Sequence, residues 1–161
     1  MISLDDTDLR LLELLQDDAG LSNQDLAAAA RVSPATALRR VRRLTDSGVI
    51  ERRIALLSTD KLGASLQALV EVQLDRQGVE HLDAFEALVD DDASVQQVWR
   101  VSPGPDFVLV LWVADMPVYQ ALVQRLFTQD ANVRNVKAFF GVKRAKFEPR
   151  YPFTISGSPG P

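Results

Sequence analysis

The apolar residues of this chain change period near residue 63, and that change constrains its fold more than any other feature. Up to about residue 47 they recur at helical spacing, whereas beyond residue 64 alternating stretches are interleaved with two helical ones. Burying the two periods calls for different faces, so the chain reads as two parts. Gly63, with the preceding STDKL, marks the join. With 161 residues, 47% of them hydrophobic, the length is enough for two small cores.

The first part contains signals for three short helices. Leu9, Leu12 and Leu15, with Leu11 beside them, follow Asp5 and Asp6, either of which can cap a helix N-terminus. Gly20 follows that helix. Ser22 and Asp25 form an S-x-x-D start for a second helix running to about Ala30. Arg31 and Val32 leave room for a tight turn. A left-handed residue there is often glycine, and arginine costs on the order of 1 kcal/mol. Ser33 then caps a third helix with Pro34 at its first position, where a missing N–H is harmless. Gly48 ends it near Ser47.

Charge singles out the third helix. The chain carries a net charge of −4, yet residues 31–53 hold Arg31, Arg39, Arg40, Arg42, Arg43, Arg52 and Arg53 against Asp46 and Glu51. An acidic protein with one concentrated basic segment repels polyanions everywhere except at that segment. On the helix Ala37, Val41 and Leu44 share an inward face bordered by Leu38. Ala35, Thr36, Arg39, Arg40 and Arg43 take the exposed side, with Ser33 at its start, the arrangement with which a recognition helix enters a major groove. The following VIERRIALLS, residues 49–58, is rich in β-branched residues and predicts a short strand or wing. It would carry Arg52 and Arg53 to the phosphates beside the groove. The bland reading of such a helix is a solvated face; the turn and the caps favour the functional one.

The second part alternates strand and helix. Residues 64–75 read as a strand, 81–89 as a helix, 94–101 and 106–114 as strands around the turn SPGP, 117–127 as a helix opened by Pro117, and 133–147 as containing one more strand. The order is β-α-β-β-α-β, a ferredoxin-like unit in an α+β chain.

Three stretches carry a resemblance to a known family: LDDTDLRLLELLQDDAGLS, SPATALRRVRRLTDSGVI and VSPGPDFVL. The middle one is the most specific, with its Ser-Pro start, the run Arg40 to Leu44 and the closing Gly48 to Ile50. Over residues 4 to about 150 the chain resembles the Lrp/AsnC, or feast/famine, transcriptional regulators. The resemblance implies a winged helix-turn-helix DNA-binding domain with its linker strand over residues 1–60. It also implies a RAM domain for effector binding and oligomerisation over 64–150, and a flexible tail at 151–161. It implies double-stranded DNA as partner, a dimer formed through the sheets, further assembly to an octamer or another higher oligomer, and a small-molecule effector, usually an amino acid, near the loop between the second and third strands. Ser33, Ala35, Thr36, Arg39, Arg40 and Arg43 then face the bases and phosphates, with Arg52 and Arg53 beside them.

The effector loop departs from the family pattern. Pro103, Gly104 and Pro105 stand where the family commonly has glycine, an acid and an aromatic, while Asp106 and Phe107 persist. Each proline removes a backbone donor that a ligand carboxylate would use. Pro103, Gly104 and Asp106 are the candidate effector residues, and Asp106 has two readings: holding an ammonium group, or capping the turn into the next strand. The effector is expected to be something other than a typical free amino acid, or absent, which leaves a DNA-organising regulator as the alternative. A sirohaem-decarboxylase-like enzyme is the remote alternative, poorly served by one histidine, His81.

Inventory excludes more. With no cysteine and one histidine, thiolate metal sites, disulfides and cysteine nucleophiles are ruled out, and no catalytic residue, cofactor or metal site is assigned. Asp90, Asp91 and Asp92 read as a solvated loop, and Trp99, Trp112, Phe139 and Phe140 as core or sheet interface. The acidic start MISLDDTD lacks the basic, then apolar, pattern of a signal peptide. No apolar run approaches the roughly 20 residues of a spanning helix, so the expected location is the cytoplasm, with no membrane partner.

Overall fold

A computed structural model describes residues 3–63, 65–129 and 132–152. The chain forms two compact units, one from residues 3–56 together with 146–152, the other from residues 57–145.

In the first unit α1 (Asp6–Asp17), α2 (Asn23–Ala30) and α3 (Pro34–Asp46) follow the expected caps. Asp5 caps α1: its carboxylate accepts from the Asp8 amide at 2.9 Å while the Asp8 carboxylate accepts from the Asp5 amide at 3.1 Å. Ser22 accepts from the Asp25 amide and Ser33 from the Thr36 amide, at 3.1 and 3.2 Å. Arg31 takes the left-handed conformation that the turn requires, φ 58° and ψ 46°, and Gly48 takes it again after α3 at φ 76°. Leu11, Leu26, Ala27, Ala30 and Ala37 form the core, and the run of alanines lets α2 approach its neighbours closely.

Residues 49–58 carry no strand. Residues 51–58 are exposed throughout, with Ile54, Leu56 and Leu57 showing about 60% of their surface or more. Their β-branched content signals strand propensity, but a ladder needs a neighbouring strand, and none lies beside them among the described residues. The far end of the chain also departs from expectation. Arg150 pairs with Asp17 at 2.5 Å, and Gln16 exchanges hydrogen bonds with the Tyr151 amide and carbonyl, so residues 146–152 belong to the first unit. By packing, the division falls at 56/57 and 145/146. Of the tail read as flexible from 151, Tyr151 is anchored, and residues 153–161 lie outside the described residues.

The second unit opens with a short helix, α4 (Thr59–Leu62), then β1 (Leu66–Leu74), α5 (Val79–Asp90), β2 (Val95–Arg100), β3 (Phe107–Val113), α6 (Met116–Val123) and β4 (Val133–Phe140). The strands form one antiparallel sheet in the order β2-β3-β1-β4, so the chain pair β1–β3 lies at the centre and α5 and α6 serve as crossovers. Ala68, Val70, Val72 and Leu74 of β1 and Phe107, Leu109, Leu111 and Val113 of β3 alternate onto the buried face. They meet Phe85 and Val89 of α5 and Tyr119 and Leu122 of α6, with the Phe85 and Phe107 rings 4.8 Å apart. A π-helical turn, Gln124–Thr128, extends α6 and brings the consecutive Leu126 and Phe127 both into the core, which a regular helix would separate.

Among the described residues, no helix packs on the opposite face of the sheet. Leu69, Trp99 and Phe139 lie there, exposed by 43%, 58% and 44%, around Val108, Val110 and Trp112. Phe140 belongs instead to the covered side, edge-on to Tyr119 at 5.0 Å. The aromatic residues that sequence alone left between core and interface are thereby divided. Phe85→Ala should destabilise the second unit by about 3–5 kcal/mol in urea unfolding. Trp99→Ala should change the stability of the isolated chain by well under 1 kcal/mol, since it removes an exposed side chain.

Candidate nucleic-acid interface and ligand cavity

The geometry of α3 is set by a carboxylate on α1. Asp8 is almost fully buried, its side chain 1% exposed, and it accepts from Arg40 at 2.9 Å and from Arg43 at 2.5 Å. Arg40 also reaches Asp5 at 2.7 Å, so two arginines three residues apart on one flank of α3 are tied to the start of α1. The Arg40 Nε is buried and has no hydrogen-bond partner among the described residues, as befits a side chain drawn inward. A contact from Asn23 Nδ2 to the Pro34 carbonyl, 2.9 Å, joins α2 to the start of α3.

The pairing shows in the titration of both carboxylates. The Arg40 hydrogen bond, backed by the Asp8 amide, lowers Asp5 to about 2. Burial pushes Asp8 up, but the hydrogen bonds from Arg43, the Asp5 amide and Arg40 outweigh it, and the net displacement is downward.

Of the residues expected on the recognition face, Arg40 is bonded to Asp5 and Asp8, and Arg43, 45% exposed, bonds Asp8 through Nη2. The exposed stripe of α3 is Ala35, Leu38, Arg39 and Arg42. Arg39 and Arg42 have no ion pair among the described residues, and neither do Arg52 and Arg53. Ser33 is exposed at the N-terminus with its hydroxyl bonded to that of half-buried Thr36 at 2.9 Å, so both side chains are partly committed to the cap. Arg52 and Arg53 sit on an irregular exposed segment instead of a wing strand. Leu38 and Arg42 were not among the residues expected on this exposed side. Counting about 100° per residue from Ala37 places Arg42 near the outer face with Ala35 and Arg39, a signal available in the helix phase alone. Leu38, read as a border of the core, is 58% exposed.

In the second unit the loop 101–106 folds back on β1. The Asp106 carboxylate accepts from the Leu74 amide at 2.7 Å, and the Asp106 amide donates to the Val72 carbonyl at 3.0 Å. The capping reading of Asp106 therefore describes its role here, and the ammonium-binding reading loses the oxygen that Leu74 takes. Gly104 stands at φ 131°, where a side chain is strained. Gly104 and Pro105 line a small cavity of about 130 Å³ with Glu71, Gln73, Asn135 and Lys137, residues that the β1–β4 register sets opposite one another on the uncovered face. Pro103 and Asp106 are not in its lining. Glu71 and Lys137 were not singled out by the sequence, because their adjacency is a property of strand register.

Other candidates resolve simply. Asp92 bonds Arg125 at 2.5 Å and the Ser94 amide at 2.9 Å, and His81 is half-buried beside Glu80 at 3.7 Å. No cluster of acids and histidine suited to a metal ion occurs among the described residues.

The clamp has a measurable signature. Asp8→Asn should cost the first unit about 3 kcal/mol, the lower end for a broken buried ion pair because Arg43 keeps access to water. Because both carboxylates titrate below the ordinary Asp value of about 3.9, their stabilisation is present above that pH. It is lost as pH falls toward about 2. Urea midpoints of the wild type should therefore drop between pH 4 and pH 2, and the Asp5→Asn/Asp8→Asn double variant should lose part of that slope.

Comparison with known proteins agrees with the geometry. Residues 4–51 match the family described as winged helix-turn-helix DNA-binding, and residues 67–151 match the Lrp/AsnC ligand binding domain. An HTH-type transcriptional regulator of Haemophilus influenzae is 34% identical over 140 residues, covering 87% of this chain and 83% of the relative. The leucine-responsive regulatory protein of Rhizobium meliloti is 34% identical over 145 residues, covering 90% of this chain and 93% of its own. A transcriptional regulator of Neisseria meningitidis, solved in complex with L-Met, superposes with a TM-score of 0.84 at 27% identity, over 93% of this chain and 97% of that one. No helix among the described residues is long and apolar enough to cross a membrane. A helix-turn-helix with a basic third helix, followed by a four-stranded sheet matching the ligand-binding domain, places this chain in the Lrp/AsnC family of DNA-binding transcriptional regulators.

Proposed function

We propose that this regulator reads double-stranded DNA with the outer stripe of α3 and acts as a homo-oligomer that responds to a small molecule. The observation that carries the reading is the set of exposed guanidinium groups without an ion pair among the described residues, Arg39 and Arg42 on the helix and Arg52 and Arg53 beyond it, on a chain of net charge −4. Ala35 and the Ser33–Thr36 pair sit at the N-terminal end that approaches base edges. Arg39 and Arg42 then meet guanines or phosphates one and two turns later. Arg43 contributes charge at the rim while bonded to Asp8, and Arg40 holds the helix in place. Such a protein works in the cytoplasm, where bacterial DNA lies.

The partner most favoured for the sheet is a second copy. Trp99, Leu69 and Phe139 form an exposed apolar face of the kind that a dimer covers, and higher assembly, to an octamer for example, would be built on that dimer. The cavity by Gly104 holds about 130 Å³, smaller than the roughly 300 Å³ of most ligand sites. A second copy closing over it would complete a site of useful size. Glu71 and Lys137 offer opposite charges to a zwitterion there.

The relatives include a protein named as leucine-responsive and one solved with L-Met, which favours an amino-acid-like effector for this chain too. The second reading is a regulator or DNA-organising protein without a free amino-acid effector. It draws on Pro103 and Pro105, which lack N–H donors, and on the Asp106 carboxylate already bonded to the Leu74 amide. The enzymatic reading has no support in these relatives, which are regulators, and the remote sirohaem-decarboxylase form of it has only His81 to draw on.

Fluorescence anisotropy with DNA from upstream of the protein's own gene tests the reading. Arg39→Ala and Arg42→Ala should each weaken binding about 5- to 150-fold if they pair with bases, and Arg52→Ala should lower the salt slope by about 1. Unchanged affinity in Arg39→Ala and Arg42→Ala together would overturn the assignment of the stripe. Adding the twenty amino acids singly separates the two effector readings. Sedimentation of Trp99→Glu should show loss of the dimer if the uncovered face is the interface.

A further inference from the structure

We propose that Leu38 is a specificity residue that selects thymine at one position of the operator by contact with its 5-methyl group, an inference that rests on the DNA-binding reading of α3. The inward face of α3 is complete without it: Ala37 and Leu44 are fully buried and Val41 packs against the core of the first unit. Leu38 belongs to no apolar cluster and presents 58% of its surface to solvent. A single exposed leucine is ordinary on a protein surface. This one stands in the second turn of the helix, between the short Ala35 and the guanidinium groups of Arg39 and Arg42, which have no ion pairs among the described residues.

The chemistry of the groove then decides what it meets. Most of what distinguishes base pairs on their major-groove edges is a pattern of hydrogen-bond donors and acceptors, and the thymine methyl is the one projecting apolar group. A branched aliphatic side chain carried into the groove by neighbouring cations loses its water there. It recovers that loss against a methyl group and not against the amino group of cytosine. Leu38 therefore discriminates by burial, beside arginines that discriminate by hydrogen bonding. The clamp from Asp8 to Arg40 and Arg43 fixes the rotation of α3, so the side chain is held toward the groove without rearrangement.

The test uses the full chain and duplexes that it selects from a random pool. In the bound duplex each thymine is replaced in turn by uracil, which deletes only the methyl group, and affinity is read by anisotropy for the wild type and for Leu38→Ala. Alanine preserves the helix and touches no core residue, so the variant should melt as the wild type does. The expected result is one position in each half-site where uracil weakens the wild type about fourfold, the worth of one buried methyl group, and leaves Leu38→Ala unaffected. A flat uracil scan, or a loss of equal size in both proteins, would overturn the role of Leu38 while leaving the DNA-binding reading intact. Failure to select any duplex would overturn both.

Discussion

The buried carboxylate of Asp8 organises the first unit. It closes the N-terminal capping box of α1 with Asp5 and, through Arg40 and Arg43, fastens α3 across it. A charge at 1% exposure is tolerable only where hydrogen bonds replace the lost water, and here two guanidinium groups and a backbone amide supply them. The same bonds sort the arginines of α3. Those on the flank facing α1 are consumed in holding the helix, and those on the outer stripe are left free. The attachment of α3 to α1 therefore depends on one buried acid.

The second unit solves a different problem. Its sheet is covered on one face only, by α5, α6 and the π-helical turn, and the burial of β1 and β3 follows a strict period of two. The other face is left with tryptophan, leucine and phenylalanine at its surface and with Glu71 and Lys137 set side by side at one end by register. Apolar surface of this kind suits association, while the charged pair and the Gly104–Pro105 turn suit a polar ligand at its border.

Asp106 ties its loop to the sheet through both side chain and backbone. Its carboxylate bonds the Leu74 amide at the end of β1 and its own amide bonds the Val72 carbonyl, so the loop is pinned to the sheet. Of the positions before it, Gly104 and Pro105 line the cavity beside Glu71, Gln73, Asn135 and Lys137, and of these two Pro105 has no backbone N–H.

Much of this protein follows from local rules. The caps at Ser22 and Ser33, the left-handed turn at Arg31, the stop at Gly48 and the β-α-β-β-α-β order are short-range consequences of hydrogen-bonding side chains and hydrophobic period, so they could be read from the chain directly. Tertiary structure alone decided which arginines are free, because Asp8 and Arg40 are 32 residues apart and only packing brings them together. It likewise left residues 51–58 without a strand, since propensity in Ile54 cannot form a ladder without a neighbour. Strand register paired Glu71 with Lys137, and a fold-back of the chain placed Tyr151 on Gln16. Period and capping act over a few residues and are written in order along the chain. Pairing of charges and strands acts across space, and only the folded chain defines it.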